Sequence, residues 1–162
     1  AVAEEEEEEA SPEGLEVHQE EVDFIAELTP LLGRSPRALK RFANVYRLVK
    51  AGLRAYEERE FLESAGGMAD YQAVLLLLAV DTGTPQVSRT FFEALSRTYA
   101  EPGLAPVIAQ MATDPEIAAE DDWQRLQYWL RVKDPRRVPE DRGKLVSWAE
   151  RVRRYSFNAG RV

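Results

Sequence analysis

Residues 31–48, LLGRSPRALKRFANVYRL, contain the start of an amphipathic helix and decide the fold of the surrounding chain. Ser35 is a favourable N-cap, and Pro36 suits the first helical position, where the N–H that proline lacks would have no partner. Apolar residues then recur at the spacing of a helix that buries one face. The predicted core-facing residues are Ala38, Leu39, Phe42, Tyr46, Val49 and Leu53.

The opposite side of this helix is basic, with Arg37 in its first turn. The N-terminal end of a helix carries roughly half a positive charge, so a cation there is unfavourable unless an anion joins it. A guanidinium beside unpaired backbone N–H groups suits a phosphate oxygen. Arg37 is therefore a candidate anion-binding residue, although basic residues on a solvated helix face are also common without any ligand. The residues of this side are Arg37, Lys40, Arg41, Asn44, Arg47 and Arg54.

The segment GRSPRAL, residues 33–39, resembles the sensor-2 segment of AAA+ and related P-loop ATPases. The longer string 35–48 is similar to the C-terminal helical region of KAP-type P-loop NTPases, a STAND-related group. The segment from Trp148 to Phe157, which holds an Arg-Tyr-Ser-Phe ending, resembles the end of many bacterial members. The resemblance covers about Leu15 to Phe157. It implies a helical lid or regulatory domain that follows an ATPase core, with Arg37 reaching the nucleotide phosphates of the parent protein.

The same resemblance implies the partners and cofactors of the parent. The partner is the P-loop NTPase core of the same parent chain, with an effector protein as a second partner. ATP and Mg²⁺ belong to the parent, and no cofactor is expected in this chain. A parent of this kind is cytoplasmic or membrane-associated and acts in signalling or phage exclusion. Residues expected to support Arg37, by contacting phosphate or by docking on the core, are Arg34, Ser35, Lys40, Arg41, Asn44 and Arg47.

The chain alone is not expected to be an enzyme. It has no GxxxxGK loop followed by Ser or Thr, since Gly143-Lys144 precedes a leucine. The apolar run 74–80 ends in Asp81 as a Walker B strand would, but its leucines and alanines favour a buried helix, too short to span a membrane. His18, the single histidine, has no companion ligand, and the acidic cluster 120–122 is typical of a solvated helix face.

The net charge of the chain bears on two further hypotheses, nucleic-acid binding and protein interaction. The 162 residues carry a net charge of −8, of which six charges come from the run Glu4–Glu9. A nucleic-acid-binding domain is expected to be net basic, so this hypothesis is the weakest. The alternative to the lid is a stand-alone helical protein-interaction module with a basic docking stripe, which the Glu4–Glu9 run would be able to occupy. The absence of cysteine fits a reducing cytosol.

The predicted organisation is an acidic, disordered linker over residues 1–14 and a single α-helical domain over 15–162. The first segment is too polar to bury a core, whereas the second shows helical periodicity and no strand alternation. The missing initiator methionine suggests a piece of a longer chain. Residues 134–139 are predicted to form a proline-bounded loop. The fold class is all-α, an irregular bundle of about seven helices near residues 18–32, 36–54, 71–80, 85–99, 104–111, 115–132 and 145–155.

Overall fold

The apolar run 74–80 forms the middle of a helix that is buried on every side in the computed structural model. Every residue from Ala73 to Val80 is at most 1% exposed. A helix that is hydrophobic all round has to lie in the centre of a protein, because it has no face to offer to water. This central helix, predicted from residues 71–80, organises the bundle.

The structure describes residues 16–64, 67–97, 99–101, 103–132 and 141–155, and these ranges contain helices and no strand. The predicted all-α class is therefore confirmed. The linker over residues 1–14, the loop at 134–139 and the residues after Tyr155 lie outside the described residues. The helices are α1 Gln19–Leu32, α2 Pro36–Ala51, α3 Ala55–Leu62, α4 Asp70–Gly83, α5 Pro85–Leu95, α6 Ala105–Ala112, α7 Pro115–Ala118, α8 Asp121–Val132 and α9 Arg142–Arg154.

Five helices pack around α4, namely α1, α2, α3, α5 and α9. A second group, α6, α7 and α8, packs on the side of α5, and α8 also contacts α1. Gly33 ends α1 with φ of 73°. Arg34 and Ser35 separate Gly33 from α2, and an ion pair between Glu21 and Lys50 joins the far ends of α1 and α2, both of which pack on α4.

The described part of the chain has nine helices where about seven were expected. The extra helix α3 escapes a periodicity search because only Phe61 among its residues is buried. Its first turn is held by the Glu57 carboxylate, which accepts a hydrogen bond of 2.9 Å from the N–H of Arg54. Leu53 and Arg54 therefore lie beyond α2, which ends at Ala51.

The predicted helix 115–132 is broken into α7 and α8 after Ala118. The side chain of Gln124 donates to the Ala118 carbonyl at 3.1 Å and satisfies an acceptor that the break leaves open. The predicted helix 85–99 is also shorter, ending at Leu95. Tyr99 follows the helix and still packs on it through a 2.7 Å hydrogen bond from its hydroxyl to the Ala94 carbonyl.

Helices α1 and α4 cross at a glycine. A Cβ atom on Gly83 would lie 2.2 Å from the carbonyl oxygen of Leu31, a distance that no side chain tolerates. Arg125 lies at the same crossing and donates hydrogen bonds to the carbonyl oxygens of Leu31, at 3.1 Å, and Gly83, at 2.6 Å. The guanidinium thus ties α8 to the C-terminal ends of α1 and α4.

Candidate functional site

The start of α2 is built as the sequence predicts. Ser35 is extended, with φ of −71° and ψ of 116°, and its hydroxyl accepts from the N–H of Ala38 at 3.4 Å. Pro36 occupies the first helical position, and no acidic residue lies in the first turn. The positive end of the helix is therefore not neutralised from within its own first turn.

The first turn of α2 stands clear of the core. Every residue from Pro36 to Lys40 is exposed or half-buried, and burial begins at Phe42. The prediction that Leu39 faces the core is wrong, because this side chain is 39% exposed. The core-facing residues Phe42, Tyr46, Val49 and Leu53 are buried as predicted, and Val45 joins them.

Most of the predicted site residues share one solvent-facing surface. Arg37, Lys40, Asn44 and Arg47 are exposed on the side of α2 opposite the buried residues, and Arg34 is exposed just before the helix. We call these five residues the basic face. Ser35 is exposed but acts as the helix cap, and Arg41 is half-buried at the edge of the basic face.

The cations of the basic face lie close together along one helix and lack carboxylate partners among the described residues. Some basic side chains elsewhere in the described part of the chain form ion pairs with carboxylates, as Arg151 does with Glu57 at 2.9 Å, whereas others, such as Arg59 and Arg97, form none. Within those same residues, no ion pair involves Arg34, Arg37, Lys40 or Arg47. The basic face is thus a concentration of positive charge on an otherwise acidic protein.

An apolar side chain interrupts the basic face. Leu48 is 53% exposed and follows Asn44 by four residues, so the two side chains are neighbours on the helix surface. A single exposed leucine is ordinary. Its position beside unpaired cations nevertheless gives this surface an apolar contact that a protein partner would cover and a bare phosphate would not.

A buried polar cluster, which the sequence analysis missed, lies next to the Arg47 end of the basic face. Lys50 Nζ lies 2.9 Å from Glu21 Oε1 and 3.0 Å from Oε2, with the two side chains 5% and 0% exposed. The Tyr46 hydroxyl donates to the same carboxylate, as does the N–H of His18 at 2.6 Å. Lys50 also donates to the carbonyl oxygen of Glu16. Burial, reinforced by the Glu21 carboxylate, raises the pKa of the Tyr46 phenol well above its usual range.

The acidic cluster on α8 has a structural role. Asp122, predicted to lie on a solvated face, is half-buried, accepts from the N–H of Gln86 at 2.9 Å and pairs with Arg125 at 2.7 Å. It therefore caps the first turn of α5 from a neighbouring helix. Within the described ranges, no three His, Asp or Glu side chains are grouped so that they would hold a metal ion.

A groove lies between α5 and α9. This groove, of about 520 Å³, has an apolar floor that includes Phe92 and Leu95. Its rim holds Arg153, whose guanidinium lies 5.8 Å from the Phe92 ring centre, and Arg154, which pairs with Glu150 at 3.5 Å. Because the rim carries charges of both signs, the groove is less electropositive than the basic face.

Comparison with protein-family models, with curated proteins and with solved structures gave no significant match. The resemblance to KAP-type NTPases therefore remains a hypothesis that depends on the quoted motifs. In the part of the chain that the structure describes, no helix is both long enough and apolar enough to cross a membrane.

Proposed function

We propose that this chain is the helical lid or regulatory domain of a KAP-like P-loop NTPase and that its basic face docks on the ATPase core. In this proposal Arg37 reaches the nucleotide phosphates from the first turn of α2. The observation that carries the proposal is the solvent exposure of four cations with no ion-pair partner among the described residues, at and beside a helix N-terminus that projects from the core.

The physical argument concerns what such a surface stabilises. A docked phosphate would receive the backbone N–H of Arg37, the helix dipole and the Arg37 guanidinium together, since Pro36 has no N–H and that of Ala38 already donates to Ser35. A charge-assisted hydrogen bond of this kind contributes about 1.5–3 kcal/mol. That energy alone corresponds to a dissociation constant of about 6 mM or weaker in the isolated chain. ATP and Mg²⁺ would be held by the core, since this chain lacks both Walker motifs.

A titration tests the phosphate contact on this chain directly. Sodium tripolyphosphate is added to the ¹⁵N-labelled protein, and backbone amide shifts are followed by NMR. We expect shifts concentrated at residues 34–40, with a dissociation constant of about 1 mM or weaker. Arg37→Ala should weaken binding at least threefold, about 0.65 kcal/mol, whereas Arg59→Ala, which removes an exposed arginine of α3, should not. Equal affinity in the two variants would contradict the assignment of Arg37.

The second candidate function is a stand-alone protein-interaction module that uses the same surface. Leu48 favours it, because an apolar side chain beside unpaired cations is suited to an acidic protein surface. The discriminating variant is Leu48→Ser. It should leave tripolyphosphate binding unchanged, and it should weaken binding to a protein partner only if the partner covers this residue.

A further inference from the structure

The chain reaches the bundle at the edge of the basic face. The carbonyl oxygen of Glu16, just before α1, accepts a hydrogen bond from Lys50 near the end of α2. Lys50 and Arg47 are three residues apart, which corresponds to about 60° around the helix and about 4.5 Å along its axis. The described chain therefore begins, at Glu16, near the Arg47 end of the basic face.

The segment upstream of Glu16 has the length and the charge to cover this surface. Glu9 precedes Glu16 by seven residues, which span at most about 25 Å when extended. Arg37 lies about 20 Å from Lys50 along the axis of α2. The run Glu4–Glu9 supplies six consecutive carboxylates, opposite four cations that form no ion pair with any described residue.

We propose that the Glu4–Glu9 run binds the basic face within the same molecule and competes there with the anionic partner. This inference rests on the proposed function, since it assigns a regulator to the same docking surface. The carboxylates take the place of partner phosphates or carboxylates beside Arg37, Lys40 and Arg47. A short tether gives the run an effective concentration in the millimolar range, which matches the weak affinity expected for a single docked anion.

The contact is testable because the chain contains no cysteine. The variant Glu6→Cys accepts a single nitroxide label, and paramagnetic broadening of amide signals then reports which surface the run approaches. We expect broadening at residues 37–47 in low salt. It should disappear in 1 M NaCl, where the screening length falls to about 3 Å. Broadening at the groove between α5 and α9, or no localised broadening, would overturn the proposal.

A competition measurement provides the second test. Replacing all six glutamates of the run by glutamine should tighten tripolyphosphate binding at least about fivefold, because the tethered competitor is removed. A control with the same change in net charge corrects for long-range repulsion and should tighten binding less than twofold. The control replaces six exposed carboxylates elsewhere by their amides: Glu60, Glu63, Glu93, Glu101, Glu116 and Asp121.

The outcomes separate the two proposals. If the wild type and the six-glutamine variant bind tripolyphosphate equally well, the competition is refuted while the docking surface stands. If neither protein binds the probe, the proposed phosphate contact fails. The nitroxide experiment then still decides whether the run lies on the basic face, since it requires no added ligand.

Discussion

Replacing Lys50 by methionine should lower the free energy of unfolding by about 3–5 kcal/mol. The substitution keeps the length and the apolar stem of the side chain but leaves the Glu21 carboxylate, which is 0% exposed, without its cation. The Tyr46 hydroxyl and the His18 N–H still donate to Glu21, but neither carries a charge. The Glu16 carbonyl loses its donor as well.

Urea unfolding followed by circular dichroism measures this loss. With a slope of about 2 kcal/mol per molar urea, the midpoint should fall by roughly 1.5–2.5 M. The double variant Glu21→Gln/Lys50→Met should recover at least half of the loss, because it no longer buries an unpaired charge. Lys40→Met, on the exposed face of the same helix, should change stability by about 0.5 kcal/mol or less. A loss below about 1 kcal/mol for Lys50→Met would refute the reasoning.

Three further substitutions test the fold. Gly83→Ala should destabilise by about 2–3 kcal/mol in urea, because its Cβ would lie 2.2 Å from a backbone carbonyl of α1; Gly67→Ala, with no atom within 4 Å of the new Cβ, should stay within about 0.5 kcal/mol. Asp122→Ala should lower the free energy of unfolding by about 1–2 kcal/mol, because the first turn of α5 loses its cap. The melting temperature should fall accordingly, and an unchanged melting temperature would contradict this. The pKa of Glu57 lies below its usual range because the backbone N–H of Arg54 and then a guanidinium on α9 stabilise the carboxylate. The resulting stability is present above the unfolded-state pKa and is lost as pH falls through the folded-state value. Between pH 6 and pH 3, the free energy of unfolding of the wild type should therefore fall by up to about 1 kcal/mol more than that of Glu57→Gln. Equal losses in the two proteins would contradict this role of Glu57.

The parts of the fold that were predictable are those encoded by local sequence. The run 74–80 is apolar at every position, so its burial needs no knowledge of its neighbours. The Ser35-Pro36 cap and the Gly33 stop are also local signals, and the structure has both. The exposure of Arg37, Lys40 and Arg47 follows from the phase of the same helix.

The parts that were missed depend on residues far apart in the chain. Lys50 is buried only because Glu21, 29 residues earlier, meets it where the start of α1 lies beside the end of α2. Asp122 becomes a cap because the N-terminus of α5 lies beside it, 36 residues away in sequence. Leu39 has the correct phase for burial, but no helix covers the first turn of α2. Periodicity gives the direction of a side chain and does not reveal what lies opposite it.

The central claim is that the first turn of α2 serves an ATPase core, and ATP turnover tests it most directly. The measurement uses the protein encoded together with the upstream coding sequence and compares Arg37→Ala with the control Arg59→Ala, with folding checked by circular dichroism. The account predicts a loss of about a hundredfold or more for Arg37→Ala, as removal of one transition-state donor produces, and little change for the control. Unchanged turnover in Arg37→Ala, or an upstream sequence without an ATPase core, would contradict the claim and leave the interaction module in its place.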